Sequence, residues 1–193
     1  MVTIGVLALQ GAFIEHSAVL RQLGVETCEV RLPEQLDVVD GLIIPGGEST
    51  TIGKLMVAYD LLDKIRDLAK AGLPIFGTCA GMIMLAKDTV QGYDQPLLNV
   101  MDIVVHRNGF GRQVDSFETD LILSVLGDEP FRAVFIRAPY IDKTGEKVDV
   151  LGKLPDGRIV CAQQGNLLVS AFHPELTDDP RLHQYFLEIA RGR

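Results

Sequence analysis

Basic residues are scarce in this chain. Eighteen lysines and arginines face 26 aspartates and glutamates, a formal charge of -8 over 193 residues. A nucleic-acid binder needs a basic face to neutralise phosphates, so that class of function is excluded. Long apolar runs are missing too: none approaches the ~18 residues of a membrane helix, and no membrane partner is expected. Only three cysteines occur, at 28, 79 and 161, odd in number and far apart. That is a poor disulfide framework and suits a reducing compartment. Met1-Val2-Thr3 leads straight into Ile4-Gly5-Val6-Leu7 with no basic leader or small-residue cleavage site. A cytoplasmic protein is the expectation. Histidines number four, at 16, 106, 173 and 183, so each candidate for proton transfer can be weighed singly.

Apolar residues make up 47% and charged residues 23%, enough to bury a core and too many for a disordered chain. The length fits one domain over 1–193. Val2–Leu9, nearly unbroken, and Gly41–Ile44 and Pro74–Gly77 are apolar runs that predict buried parallel strands. Helical spacing predicts helices over Ala12–Leu23, Thr51–Tyr59 and Leu61–Ala71, with Val25–Arg31 a strand between the first two. The second half reads as strands at Val100–Arg107, Ser116–Ser124, Ala133–Arg137, Lys147–Leu154, Arg158–Gln163 and Leu167–Phe172. Turn signals at Asn108-Gly109, Thr144-Gly145 and Asp156-Gly157 favour antiparallel hairpins there. Pro180–Arg191 closes the chain as an amphipathic helix. The pattern predicts an α/β fold: a parallel sheet with helices on both faces, continued by antiparallel strands.

Gly77-Thr78-Cys79-Ala80-Gly81 lies where an apolar strand gives way to an apolar helix running through Leu85. This is the layout of the G-x-S-x-G nucleophile elbow with cysteine in the serine position. So tight a turn strains the backbone, and its flanks crowd unless glycine stands two residues away on each side. The following helix points unpaired N–H groups and its positive dipole end at the sulfur, which favours a thiolate. Cys28 and Cys161 sit inside strands without glycine flanks and read as packing residues.

His173 follows the apolar run Leu167–Phe172, at the sheet edge where open parallel sheets bind ligands. Pro174 holds His173 extended, and residues i and i+2 of an extended chain project to one side. Glu175 can therefore accept the Nδ1–H of His173 and leave Nε2 to take a proton from Cys79. His16 and His183 lie on amphipathic helices, where packing or solvation is expected; His106 is given no role.

Ile44-Pro45-Gly46-Gly47-Glu48-Ser49-Thr50 ends a second buried strand near the same edge, and its glycines suit an oxyanion hole shared with the Ala80 N–H. A phosphate loop ending at Gly53-Lys54 would need glycine at 48 and Ser or Thr at 55, where Glu48 and Leu55 stand. Gly109-Phe110-Gly111 is no dinucleotide fingerprint, because Val114 occupies the third glycine position. Arg107 and Arg137 each end a strand, and either guanidinium can hold an amino-acid carboxylate. No Cys/His cluster has metal-ligand spacing, so neither metal nor cofactor is expected.

The elbow together with His173-Pro174-Glu175 resembles the triad (class I) glutamine amidotransferases. Leu7–Gly11, Pro45–Thr50, Arg107-Asn108-Gly109-Phe110-Gly111-Arg112-Gln113 and Phe135–Pro139 look like the glutaminase subunits of pyridoxal 5′-phosphate synthases, over essentially the whole chain. The resemblance implies a three-layer, flavodoxin-like α/β fold and hydrolysis of L-glutamine to glutamate and ammonia. Cys79 would attack the side-chain amide, His173 would transfer the proton, Glu175 would orient His173, and the Gly47 and Ala80 N–H groups would hold the oxyanion. Gly47, Glu48, Ser49, Arg107, Ile136 and Arg137 would line the glutamine site. It further implies a large hetero-oligomer in which ammonia passes through a partner synthase (lyase) subunit that builds pyridoxal 5′-phosphate, and in which docking activates the glutaminase. Two other readings fit the elbow: a cysteine hydrolase of peptidase or deglycase type, and a non-catalytic regulatory module of the same fold.

Overall fold

Strands that are almost wholly apolar need cover on both faces, and the computed structural model of the chain places them at the middle of one twisted sheet. It describes residues 2–90, 94–109 and 116–192. The first half runs β1 (Thr3–Leu7), α1 (Phe13–Gln22), β2 (Glu26–Val30), β3 (Gly41–Ile44), α2 (Ser49–Ala58), α3 (Leu61–Lys70), β4 (Ile75–Thr78) and α4 (Ala80–Leu85). The second half runs β5 (Ala86–Thr89), β6 (Met101–His106), β7 (Ser116–Leu121), β8 (Phe131–Ile136), β9 (Tyr140–Thr144), β10 (Asp149–Lys153), β11 (Ile159–Gln164), β12 (Leu167–Ser170) and α5 (Arg181–Ala190).

Among the described residues ten strands form the main sheet, in the order β2-β1-β3-β4-β12-β11-β9-β6-β5, with β10 added to β11. Pairing is parallel from β2 to β12 and antiparallel from β12 to β6, and β5 joins β6 in parallel. The sheet is thus mostly parallel at its centre and antiparallel in its extension. The strand order reverses at β1: β1 to β2 steps one way and β3 to β4 the other. Right-handed crossovers then place α1 on one face and α2–α3 on the opposite face. The crevice beyond the C-terminal ends of β1, β3 and β4 is where a doubly wound sheet binds ligands.

All four residues of β3, β4 and β12 are buried. Covering a Leu, Ile or Phe side chain stabilises the fold by about 1.5–3 kcal/mol, so Ile43, Ile44, Phe76 and Leu168, each fully buried, hold the central strands in register. Phe76 packs against Phe186 of α5 with ring centroids 5.6 Å apart.

The second half departs from the sequence expectation in two unforeseen strands and at two expected hairpins; at one of these, Thr144-Gly145 does not join paired strands, since β9 pairs β6 and β11 while β10 pairs β11. β5 and β9 carry Lys87-Asp88 and Asp142-Lys143, poor strand formers that form because β6 offers hydrogen bonds on both of its edges. Asn108-Gly109 does not turn β6 into a hairpin with β7. Instead β6 pairs with β9, while β7 and β8 form their own two-stranded sheet. Phe110–Gln113 lies outside the described residues.

Candidate active site

β4 enters α4 through Cys79, whose φ of 49° and ψ of -102° place a non-glycine residue at positive φ. Such a conformation persists only where the surroundings enforce it. Here they do. The Cys79 N–H donates to the carbonyl of Ser170 at 2.8 Å, tying the turn to the end of β12. A Cβ on Gly77 would stand 2.6 Å from the backbone of Gly81, and one on Gly81 would stand 2.0 Å from the carbonyl oxygen of Ile44. The two glycines therefore let the turn close against β3. Cys79 is left 7% exposed, at the head of a helix whose first N–H groups lack intrahelical partners.

His173 lies beyond the end of β12, its N–H bound to the carbonyl of Val134 in β8 at 2.8 Å. Its ring shares a cavity wall with Cys79 and is hydrogen-bonded to Glu175, Nδ1 to Oε1 at 2.6 Å. Pro174–Leu176 is a single 3₁₀ turn rather than the extended segment expected from the sequence. The turn still folds Glu175 back beneath the ring. Burial disfavours the charged imidazole, but its neighbours Cys79 and Glu175 prevail, pushing His173 up to about 10. Burial likewise opposes ionisation of Glu175, yet His16 and His173 together hold its carboxyl below the usual range. The arrangement sets a readily protonated imidazole between a cysteine and a buried carboxylate, able to deliver a proton to a leaving group.

A cavity of about 310 Å³ opens over Cys79, lined among others by Gln10, Ile83, Asn108, Pro139 and His173. Gly47, Glu48, Ser49, Ala80, Arg107, Ile136 and Arg137, all singled out in the sequence, line it too. A larger, more open depression of about 610 Å³ beside Arg132 and Leu176–Pro180 holds none of these groups. Gly46 has no room for a side chain: a Cβ there would lie 2.4 Å from the His173 ring. Its carbonyl accepts the Ala12 N–H at 3.0 Å, so the Gly47 N–H, on the opposite edge of the trans peptide, points away from α1.

Glu48 caps α2, accepting the Thr51 N–H at 2.7 Å and the hydroxyls of Thr50 and Thr51. Burial would raise its pKa, but these hydrogen bonds outweigh it and bring it down to about 2. Arg107 reaches Glu48 at 3.4 Å and Gln95 at 3.1 Å, and Gln95 also accepts from Ser49 at 3.2 Å. Arg137, at φ 43°, stands exposed on the cavity rim.

Two kinds of residue escape the sequence reading. Gln10 and Gln95 brace Glu48, Ser49 and Arg107, and an isolated glutamine carries no local signature. His16 and His183 are packed, as expected, but they also form a polar chain behind Glu175. Only the strand order brings α1 and α5 together.

Residues 6–191 match the SNO glutamine amidotransferase family. The chain belongs to that family. Among its relatives, the Pyridoxal 5′-phosphate synthase subunit PdxT of Herpetosiphon aurantiacus is 64% identical, covering 97% of this chain and 100% of the relative. The subunit of the same name from Carboxydothermus hydrogenoformans is 60% identical over 98% of each. A crystal structure of a glutamine amidotransferase superposes with a TM-score of 0.93 at 54% identity, covering 97% of this chain and 98% of that one. The amidotransferase fold is therefore shared along its whole length.

Proposed function

We propose that the protein is the glutamine-hydrolysing subunit of a pyridoxal 5′-phosphate synthase, with Cys79, His173 and Glu175 as its catalytic triad. One observation carries the reading: a cysteine on a glycine-flanked turn lines one cavity with a histidine whose Nδ1 lies 2.6 Å from a buried carboxylate. The kinship with synthase subunits supports it.

Glutamine enters with its side-chain amide over Cys79. The thiolate attacks the amide carbon, and the oxygen takes up charge opposite the N–H groups of Gly47 and Ala80. His173 gives its proton to the nitrogen, ammonia leaves, and a γ-glutamyl thioester remains. Water then attacks the thioester, losing a proton to His173, and glutamate departs with the Cys79 thiolate restored. Arg107 and Arg137 offer forks to the substrate carboxylate, and Glu48 offers a negative charge to its ammonium. Gly47, Ser49 and Ile136 complete the wall. Ammonia goes to a synthase subunit in a large hetero-oligomer, and docking activates the site by setting the Gly46-Gly47 peptide; a misaimed oxyanion donor costs on the order of 10²–10³ in rate.

Mixing the protein with a candidate synthase subunit and following glutamate release tests this directly. The rate should rise on addition of the partner. No glutamate release from glutamine, with or without the partner, sinks the reading.

A further inference from the structure

Two buried histidines take no part in the chemistry above. His16 of α1 and His183 of α5 are both 0% exposed, with His16 Nδ1 2.9 Å from His183 Nε2. His16 Nε2 lies 3.1 Å from Thr78 Oγ1 and 3.3 Å from Glu175 Oε2. The Thr78 hydroxyl in turn accepts the Gly46 N–H at 3.1 Å. One imidazole therefore touches both the carboxylate behind His173 and the residue that anchors the Gly46-Gly47 turn.

The network dictates where the protons sit. His183 Nδ1 has no hydrogen-bond partner among the described residues. A proton there would be a buried donor without an acceptor, so the His183 proton resides on Nε2 and is donated to His16 Nδ1. His16 must then carry its own proton on Nε2, facing Glu175 Oε2 and Thr78 Oγ1. Burial keeps both rings neutral, holding His16 below its ordinary value and His183 down at about 3. The charged or titratable groups acting on the pair are Glu175 and His173 from the Pro174 turn and Glu15 from α1 itself.

We propose that His16, locked in its Nε2–H tautomer by His183, is a positioning residue that steadies the second oxygen of Glu175 and thereby aims the carboxylate at His173. This rests on the reading of Cys79, His173 and Glu175 as the catalytic set. The chemistry favours a neutral donor here. Oε1 of Glu175 is bound to His173, while Oε2 has no aligned hydrogen bond among the described residues and lies 3.3 Å from His16 Nε2. A bare carboxylate oxygen in a dry site drifts toward protonation. A lysine or arginine would prevent that but would also neutralise the charge on which the His173 imidazolium depends. An N–H dipole supports the carboxylate without consuming its charge.

Imidazole ¹⁵N shifts of the labelled full chain between pH 5 and 9 test the tautomers without any substitution. His16 and His183 should stay neutral and Nε2-protonated throughout; titration of either ring in that range, or a proton on Nδ1, overturns the proposal. In the complex with the synthase subunit, His16→Leu should lower kcat for glutamine hydrolysis about 10–100-fold, the usual cost of losing an outer-shell partner, with KM unchanged. The pH midpoint for alkylation of Cys79 should move up, because a weaker carboxylate supports less imidazolium. His16→Gln, which keeps a donor near the Nε2 position, should restore most of the rate. A folded, docked His16→Leu protein with wild-type kcat and midpoint refutes the role, as does His16→Gln falling as far as Leu. Failure of the catalytic reading is separately visible: glutamine hydrolysis would then survive Cys79→Ala while the tautomers remained as stated.

Discussion

His173 Nδ1 stands 2.6 Å from Glu175 Oε1 with a single proline between the two residues. The 3₁₀ turn that achieves this is closed by the Leu176 N–H donating to the His173 carbonyl at 3.3 Å. Because the pair is local, its geometry depends little on distant packing; its buried setting depends on it entirely. Glu175→Gln keeps the shape and removes the charge. It should cut kcat by on the order of 10²–10⁴, as the loss of a triad carboxylate does elsewhere, and steady-state glutamine hydrolysis with the synthase present will show it. A loss below tenfold would mean that Glu175 does not orient the base.

Cys79→Ala should abolish glutamine hydrolysis while the partnered synthase still works with added ammonium. Equal loss with both nitrogen sources would indicate damage to docking rather than to amide cleavage. The same substitution removes Cys79 from beside His173, one of the neighbours that help hold it at about 10. Its pKa must therefore fall, and an imidazole NMR titration reads the change.

The raised His173 pKa also has a consequence for stability. A group protonated more tightly in the folded state than in the unfolded one stabilises the fold fully below its ordinary value of 6.5. That contribution disappears as pH climbs through about 10. Urea midpoints should accordingly drop between neutral and strongly alkaline pH, and Cys79→Ala, with a lower His173 pKa, should begin its decline at lower pH.

Gly81→Ala places a methyl group 2.0 Å from the Ile44 carbonyl oxygen, a backbone atom that cannot rotate away. A cost of at least ~3 kcal/mol is expected, the upper end of overpacking. Gly157, at φ +90° with nothing within 4 Å, is the control: alanine there should lose only the ~1–2 kcal/mol of left-handed strain. Chemical denaturation of both variants measures the difference, and equal losses would show that the elbow is not sterically tight.

Glu48→Ala removes the cap of α2 and should destabilise the protein by about 1 kcal/mol at pH 7. The folded carboxyl titrates at about 2 against an ordinary 4.5, so its contribution is present above 4.5 and vanishes as pH falls through about 2. The stability gap between wild type and variant should close over that window. A gap independent of pH would mean that charge plays no part in the cap.

The legible part of this protein is what short stretches of chain encode. Nearly unbroken apolar runs mark β1, β3, β4 and β12 because strands buried on both faces have no polar side to show. Gly77-Thr78-Cys79-Ala80-Gly81 marks the elbow because its crowding is local, and His173-Pro174-Glu175 marks the histidine–carboxylate pair for the same reason. Polar β5 and β9 carry no such mark, since they become strands only where β6 offers free edges. Arg107 and Gln95 meet, and His16 reaches Glu175, across separations of 12 and 159 residues. No spacing rule spans such distances. The residue sequence determined the glycine-flanked cysteine and the histidine–glutamate pair of the proposed triad; the order in which the strands pair decided which buried groups stand behind them, because side-chain contacts between elements exist only once the sheet has assembled.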